Sequence, residues 1–395
     1  MTTRFTGNFT QQEPIPEEAI QAAVAVMRSG RLHRYNLGPQ EEGEVSALER
    51  EFAAWSGARY CLAVASGGYA IATALRALGV GPGDRVLTNA FTLAPVPGAI
   101  ASLGAVPVLV EVTPDLVIDL EDLAARADQA KVLLLSHMRG HLCDMDRLME
   151  ICDAAGIRVI EDCAHTMGAR WRGVLSGRHG AMACYSTQTY KHMNSGEGGL
   201  LISDDPDLMA RAVLMSGSYM LYPRHGAAPA PEVFERHRLD MPNISGRMDH
   251  LRAAILRPQL AGLEARCAAW TERYRAVESC LRDVPGVKLP PRPQAEAFVG
   301  SSIQFLLPGR DAAAMRAYVA ACAARGVELK WFGADSPAGF TSRYDHWRYA
   351  APAPLPATDA VLAGLLDMRL PLTFSLEDCR VIGTILAEEA RAAAG

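Results

Sequence analysis

Between residues 58 and 205, short aliphatic or β-branched runs alternate with helical stretches, and no other feature restricts the fold as much. Runs at 61–65, 85–88, 106–111, 131–137 and 157–161 read as strands. The stretches ending at Ala77, and at 96–102, 120–127 and 145–155, read as helices. Strands separated by helices imply a mostly parallel sheet covered on both faces. In such sheets ligands bind beyond the carboxyl ends of the strands. Chemistry is therefore to be sought in the residues that follow each strand.

The rest of the chain predicts a second unit. Residues 247–281 read as one long linking helix, and four prolines in 285–293 mark the entry to a smaller domain. There, 301–307 and 327–332 read as strands and 312–325 as a helix. Residues 375–393 read as a terminal helix, with Ser375 at the N-cap and Asp378 three residues on. Residues 334–358, rich in Pro, Tyr and Trp, read as a long loop over the site. The expected division is a large domain over 1–250, and a linking helix with a small C-terminal α+β domain over 251–395. A length of 395 residues suits two or three domains.

Composition closes off other classes. At 49% apolar, 21% charged and a net charge of −5, the chain is neither disordered nor a phosphate-backbone binder. The nine cysteines include no C-x-x-C pair and read as buried reduced thiols, and no metal-ligand set is read. Residues 86–110 carry no charge, but Pro95, Pro97, Gly98, Gly104 and Pro107 interrupt them too often for a membrane span. With no secretory pattern in the first 20 residues, a cytoplasmic enzyme is expected.

Three features fall at strand ends: Ser66-Gly67-Gly68, Asp162 within EDCAH, and Lys191 within STQTYK. A strand running through Ser-Gly-Gly into a helix offers free backbone N–H groups to an anion, most often phosphate. Asp162 directly follows an apolar strand, so its partly buried carboxylate needs a cationic partner. A pyridinium nitrogen would serve, as pyridoxal phosphate (PLP) chemistry requires. A lysine in apolar, Gly-rich surroundings can form a Schiff base. Taken singly, these are a tight turn, a helix cap and a solvated surface charge. Their joint occurrence in one α/β domain favours the chemistry.

The stretch 161–169 (EDCAHTMGA), then Gly173, Gly177, Gly180, Tyr185-Ser186, Lys191 and Gly196-Glu197-Gly198-Gly199, resembles the DegT/StrS-type sugar aminotransferases. Ser29-Gly30, residues 81–86 (GPGDRV), 137–141 (HMRGH) with Asp144-Met145, Arg247-Met248 with Ala253-Ala254 and Gln259-Leu260, and 370–372 (LPL) extend the resemblance over about 14–390. It implies the aspartate aminotransferase fold (fold type I) and PLP as cofactor. It makes Lys191 the Schiff-base lysine that moves the proton between Cα and C4′. It pairs Asp162 with the ring nitrogen, sets His165 against the ring or its 3′ oxygen, and gives the phosphate to Ser186, Gly67 and Gly68. The lysine, where the family's dehydratase branch has histidine, favours transamination.

The chain also departs from the family pattern. Gly68 stands in place of a threonine, and Leu93 in place of a ring-stacking aromatic, with Phe91 a candidate substitute. His192 replaces an asparagine and Arg139 a tyrosine. Asn243, or Ser245, stands where the family's asparagine reaches the partner's phosphate. The implied function is amino transfer from L-glutamate or L-glutamine to a keto acceptor, a ketosugar or related small ketone. The alternatives are a lyase, dehydratase or cyclising enzyme using the same Lys191, and a non-catalytic regulator keeping the fold. Fold type I further implies a homodimer with shared sites. Arg139, His33 and Arg34 are candidates to meet an anionic substrate, against ordinary surface roles. Tyr219 and Tyr222 are candidates to line the pocket, against ordinary packing.

Overall fold

The computed structural model describes residues 3–38, 41–339, 341–350 and 353–392. Strands β1 (Tyr60–Val64), β2 (Arg85–Asn89), β3 (Val106–Val110), β4 (Val132–Ser136) and β5 (Arg158–Asp162) enter a central sheet. A small hairpin follows, β6 (Arg170–Trp171) and β7 (Val174–Leu175), before β8 (Met182–Ser186) and β9 (Gly199–Ser203) complete the sheet. Its order is β1-β9-β8-β5-β4-β2-β3. The run from β3 to β8 is parallel, and β9 is antiparallel to both its neighbours.

Period-2 alternation sorts these strands between two cores. Cys61, Ala63, Leu133, Leu135 and Val159 face one cluster, covered by helices Glu44–Ser56, Met145–Ala155 and His250–Ala261. Leu62, Val64, Val132, Leu134 and Ile160 face the other, under helices Gly67–Ala77, Pro95–Ser102 and Pro206–Gly217. Both faces are buried, which is why the strand sequences are nearly continuous apolar runs.

The small unit holds β10 (Glu296–Ala297), which joins the β6–β7 hairpin, and a second sheet of β11 (Ser302–Leu306), β12 (Lys330–Trp331) and β13 (Leu365–Arg369) in the order β11-β13-β12. Helix Leu376–Ala392 packs on this unit, and Ser375 and Asp378 cap it reciprocally. Its expected last residue, Ala393, lies outside the described residues.

Several expectations are corrected. The linking helix is two helices, His250–Ala261 and Leu263–Leu281, broken at Gly262, whose φ −93° and ψ 2° leave the helical basin. The strand expected over 327–332 shortens to Lys330–Trp331. The loop 334–358, of which residues 340, 351 and 352 lie outside the description, contains two 3₁₀ turns and ends in helix Pro356–Gly364. Tyr344 and Trp347 bury in a cluster with Phe91 and Phe332, which fixes that segment over the sheet ends. Phe5 and Phe9, in the range assigned to the large domain, pack edge-on against Phe374 at 4.9 and 5.0 Å, in the small unit's core. Among the described residues no helix is long and apolar enough to cross a membrane. Their cysteines are all free, and all but Cys280 are buried.

Candidate active site

A cavity of about 920 Å³ opens at the carboxyl ends of β1, β4, β5 and β8, between the large unit and the small sheet. Strand parity decides which side chains enter it. Ser136, Asp162 and Ser186 follow Leu134, Ile160 and Cys184 at a spacing of two, so all lie on the side of helix Gly67–Ala77. Glu161 points to the opposite side. There it meets His137 at 3.0 Å and accepts backbone N–H groups from Gly177, His179 and Gly180 at 2.7–2.9 Å. Glu161 is thus a structural anchor, and its neighbour Asp162 faces the cavity.

Asp162 is buried and, among the described residues, accepts from the Ala164 N–H at 3.1 Å and the Ser136 hydroxyl at 3.3 Å. Ser136 is oriented by the Thr92 hydroxyl at 2.7 Å and by Asn89, whose side chain clasps its backbone N–H and C=O. Burial raises the Asp162 pKa, with Lys191 acting against the rise. A buried carboxylate in that condition calls for a positive partner.

The Lys191 amine lies 2.8 Å from Nε2 of His165. Burial, and after it the charge of Arg139, pushes the lysine down to about 7. His165 is also held well below its ordinary value, by burial first and then by Lys191, so it is a neutral ring. A neutral amine is a nucleophile and a base, whereas an ammonium is neither. Raising pH through about 7 therefore increases the reactive fraction of Lys191, where an ordinary lysine needs pH above 10. Trapping with an aldehyde and borohydride, read by mass spectrometry at residue 191, is expected to reach half its maximal rate near pH 7.

The third corner is the start of helix Gly67–Ala77. Ser66 is its N-cap, accepting the Tyr69 N–H at 3.1 Å, and the N–H groups of Gly67 and Gly68 have no intrahelical partner. A Cβ on Gly67 would come within 2.9 Å of the Ser186 Cβ, whereas at Gly68 the nearest atom, on Pro95, is 4.0 Å away. Backbone and the Ser186 hydroxyl thus form a cradle open to an anion. A cradle for phosphate, a carboxylate needing a cation and a nucleophilic amine in one cavity fit PLP, and the fit does not depend on the sequence resemblance.

The structure brings Gly67, Gly68, Leu93, Asp162, His165, Ser186, Lys191 and Arg139 onto this cavity. Phe91 is not on its wall: residues 90–92 bend instead of extending, and Phe91 packs edge-on against Phe332 at 5.1 Å. Asn243 also lies away from it, its Oδ1 accepting from the Ser245 N–H and hydroxyl. Arg34 is buried in a bidentate pair with Glu49 at 3.0 Å, so it is no substrate ligand, and His33 is exposed elsewhere. Tyr222 stacks on Phe234 at 4.2 Å, while Tyr219 is exposed beneath the Arg247 guanidinium. Sequence reasoning missed Lys330, Asp367 and Arg369, which line the cavity from the small sheet. Their signal was present: in LLDMR the charged residues alternate with Leu366 and Met368, which enter the core.

Comparison with known proteins finds one family and several relatives and solved structures of the same fold. The model of the DegT/DnrJ/EryC1/StrS aminotransferase family matches residues 14–386. The 3-amino-5-hydroxybenzoate synthase of Amycolatopsis mediterranei is 35% identical over 247 residues, 62% of this chain and 61% of that protein, so the match spans less than two thirds of the relative. The dTDP-3-amino-3,4,6-trideoxy-alpha-D-glucose transaminase of Streptomyces venezuelae is 32% identical over 289 residues, 70% of this chain and 69% of that protein. The crystal structure of 3-amino-5-hydroxybenzoic acid synthase superposes with a TM-score of 0.83 at 27% identity, covering 97% of this chain and 98% of that one.

Proposed function

The chain belongs to the DegT/DnrJ/EryC1/StrS aminotransferase family, and from that membership we propose that it is a PLP-dependent transaminase carrying an amino group from L-glutamate or L-glutamine to a ketone on a sugar or related ring. The observation that carries the reading is the neutral-prone Lys191 amine, 2.8 Å from His165 in the cavity that Asp162 enters. Bound there, PLP supplies an aldehyde for covalent capture of amines and a protonated ring that withdraws electrons from the carbon losing its proton.

Each residue has a task in this reading. The first N–H groups of helix Gly67–Ala77 and the Ser186 hydroxyl hold the phosphate. Asp162 keeps the ring nitrogen protonated, steadied by Ser136 and Ala164. Lys191 would take a proton at Nζ from the substrate Cα and return it at C4′, two atoms along. The neutral His165 ring holds that amine in line. Leu93 contributes aliphatic contact from the wall. Exposed Tyr219, which hydrogen-bonds Asn243, and exposed Ile244 beside it support a homodimer with shared sites. The free cysteine thiols of the described residues, all but Cys280 buried, support a reducing, cytoplasmic setting.

A half-reaction tests the proposal. L-glutamate added to the holoenzyme without an acceptor is expected to convert the visible cofactor band to a near-ultraviolet one, with one 2-oxoglutarate released per active site. An eliminating or cyclising enzyme would leave that band in place and release no 2-oxoglutarate. That outcome with L-glutamate and equally with L-glutamine, whose 2-oxo product is 2-oxoglutaramate, sinks the transaminase reading.

A further inference from the structure

We propose that the ketone this enzyme aminates carries a carboxylate a few bonds from its reacting carbon, recognised by Arg139, Lys330 and Arg369 around the buried Asp367; this rests on the transaminase reading above. The small sheet presents one charged face to the cavity. Along β13, Leu366 and Met368 enter the core, while Asp367 and Arg369 point the other way. Lys330 stands directly across from Asp367 in the β12–β13 register. Arg139 arrives from the large unit just beyond β4, in the left-handed region at φ 55°. A non-glycine residue held in that conformation is often found at functional sites.

Charge is unbalanced at this place. Asp367 pairs with Arg139 at 2.8 Å and lies 4.0 Å from Lys330, while its other oxygen accepts from the neutral Gln304 amide at 2.8 Å. The Arg369 guanidinium lies over the Tyr190 ring, 4.0 Å from its centre, and donates to Gln12 at 3.3 Å. Three cations therefore surround one buried acid. The other acids on the cavity wall are Asp162, committed to the cofactor end, and the exposed Glu197 and Glu328. Nε of Arg139 is buried without a hydrogen-bond partner. Lys330 and Arg369 are both held below their ordinary values, burial being the main cause and Arg139 contributing to each.

Position and reaction order narrow the anion's chemistry. Arg139, Lys330 and Arg369 line the same cavity as Lys191 and each lowers its pKa, so the cluster lies beside the lysine that handles the proton at the reacting carbon. An anion held there sits close to the keto carbon, as a carboxylate on a short or cyclic ketone does. Donor and acceptor use the same cavity in turn. A wall charged to receive the donor's carboxylate would leave buried cations uncompensated against a neutral acceptor. Guanidinium groups also match a planar carboxylate by paired N–H donors.

The test begins with enzyme loaded with pyridoxamine phosphate, which bypasses the donor. It is offered 3-oxocyclohexanecarboxylate, cyclohexanone, dihydroxyacetone phosphate and a nucleotide-linked ketosugar. The carboxylate ketone is expected to react about 10- to 100-fold faster per molar than cyclohexanone. Arg139→Met and Arg369→Met should each remove most of that preference. In parallel, calorimetry with unreactive cyclohexanecarboxylate should show binding weakened about tenfold in either variant, while the cofactor spectrum is retained. Equal rates for cyclohexanone would mean that the cluster serves the donor only, and would overturn the proposal. Preference for either phosphorylated ketone would overturn it as well. Failure of the half-reaction with both L-glutamate and L-glutamine would instead remove the transaminase reading, and the proposal with it.

Discussion

Lys191→Ala is expected to lower turnover by at least about 10³-fold, because one change removes both the nucleophile and the proton carrier. The position makes the loss hard to compensate. Lys191 follows the carboxyl end of β8, with its amine 2.8 Å from His165, and its free base is available near neutrality. Lys330 is the other amine on the cavity wall, but it is drawn toward Asp367 across the β12–β13 register. Lys191→Arg should fail equally, since a guanidinium stays protonated and cannot replace a free amine. Methylamine added to the alanine variant should restore part of the rate, because the cavity is large enough to admit it. Reduction with borohydride followed by peptide mapping would show the wild-type cofactor attached at residue 191 and no attachment in the variant. An alanine variant that kept its yellow colour and full turnover would overturn the assignment.

How much of this was legible in the sequence depended on sequence separation. The parallel sheet and the strand-end positions of Ser66 and Asp162 come from local alternation, which is written in consecutive residues. Lys191 was distinguished from an ordinary surface lysine only by its company. Phe91 was misplaced because a spacing of two puts residues on one face only in extended backbone, and residues 90–92 bend. Arg34 looked like a surface charge because Glu49, its buried partner, lies fifteen positions away on a helix. The cationic cluster was hidden most completely. Asp367 meets Arg139 from the other unit, a contact that no window of neighbouring residues contains. The break at Gly262 illustrates the opposite limit: apolar periodicity runs on through a glycine whose backbone ends the helix.

Asp162→Asn is expected to lower turnover by about 10²- to 10³-fold with little effect on folding. The amide preserves the shape and the contacts to Ser136 and Ala164 but not the negative charge. A neutral partner cannot hold the ring proton at neutral pH, so deprotonation of the substrate carbon loses its electron sink. Thermal denaturation of the apoenzyme should move little or upward, since burial already disfavours the Asp162 carboxylate. The neighbouring substitution Glu161→Gln should behave in the opposite way. Glu161 is fully buried, accepts three backbone N–H groups and pairs with His137, and its pKa is lowered despite its burial. Breaking that pair should cost about 3 kcal/mol of stability. That loss would lower the melting temperature while leaving the rate of the folded enzyme largely intact. Two adjacent carboxylates on opposite sides of one strand thus predict separate readouts. If Asp162→Asn changed only the melting temperature, or Glu161→Gln only the rate, the assignment of Asp162 to the chemistry would be wrong.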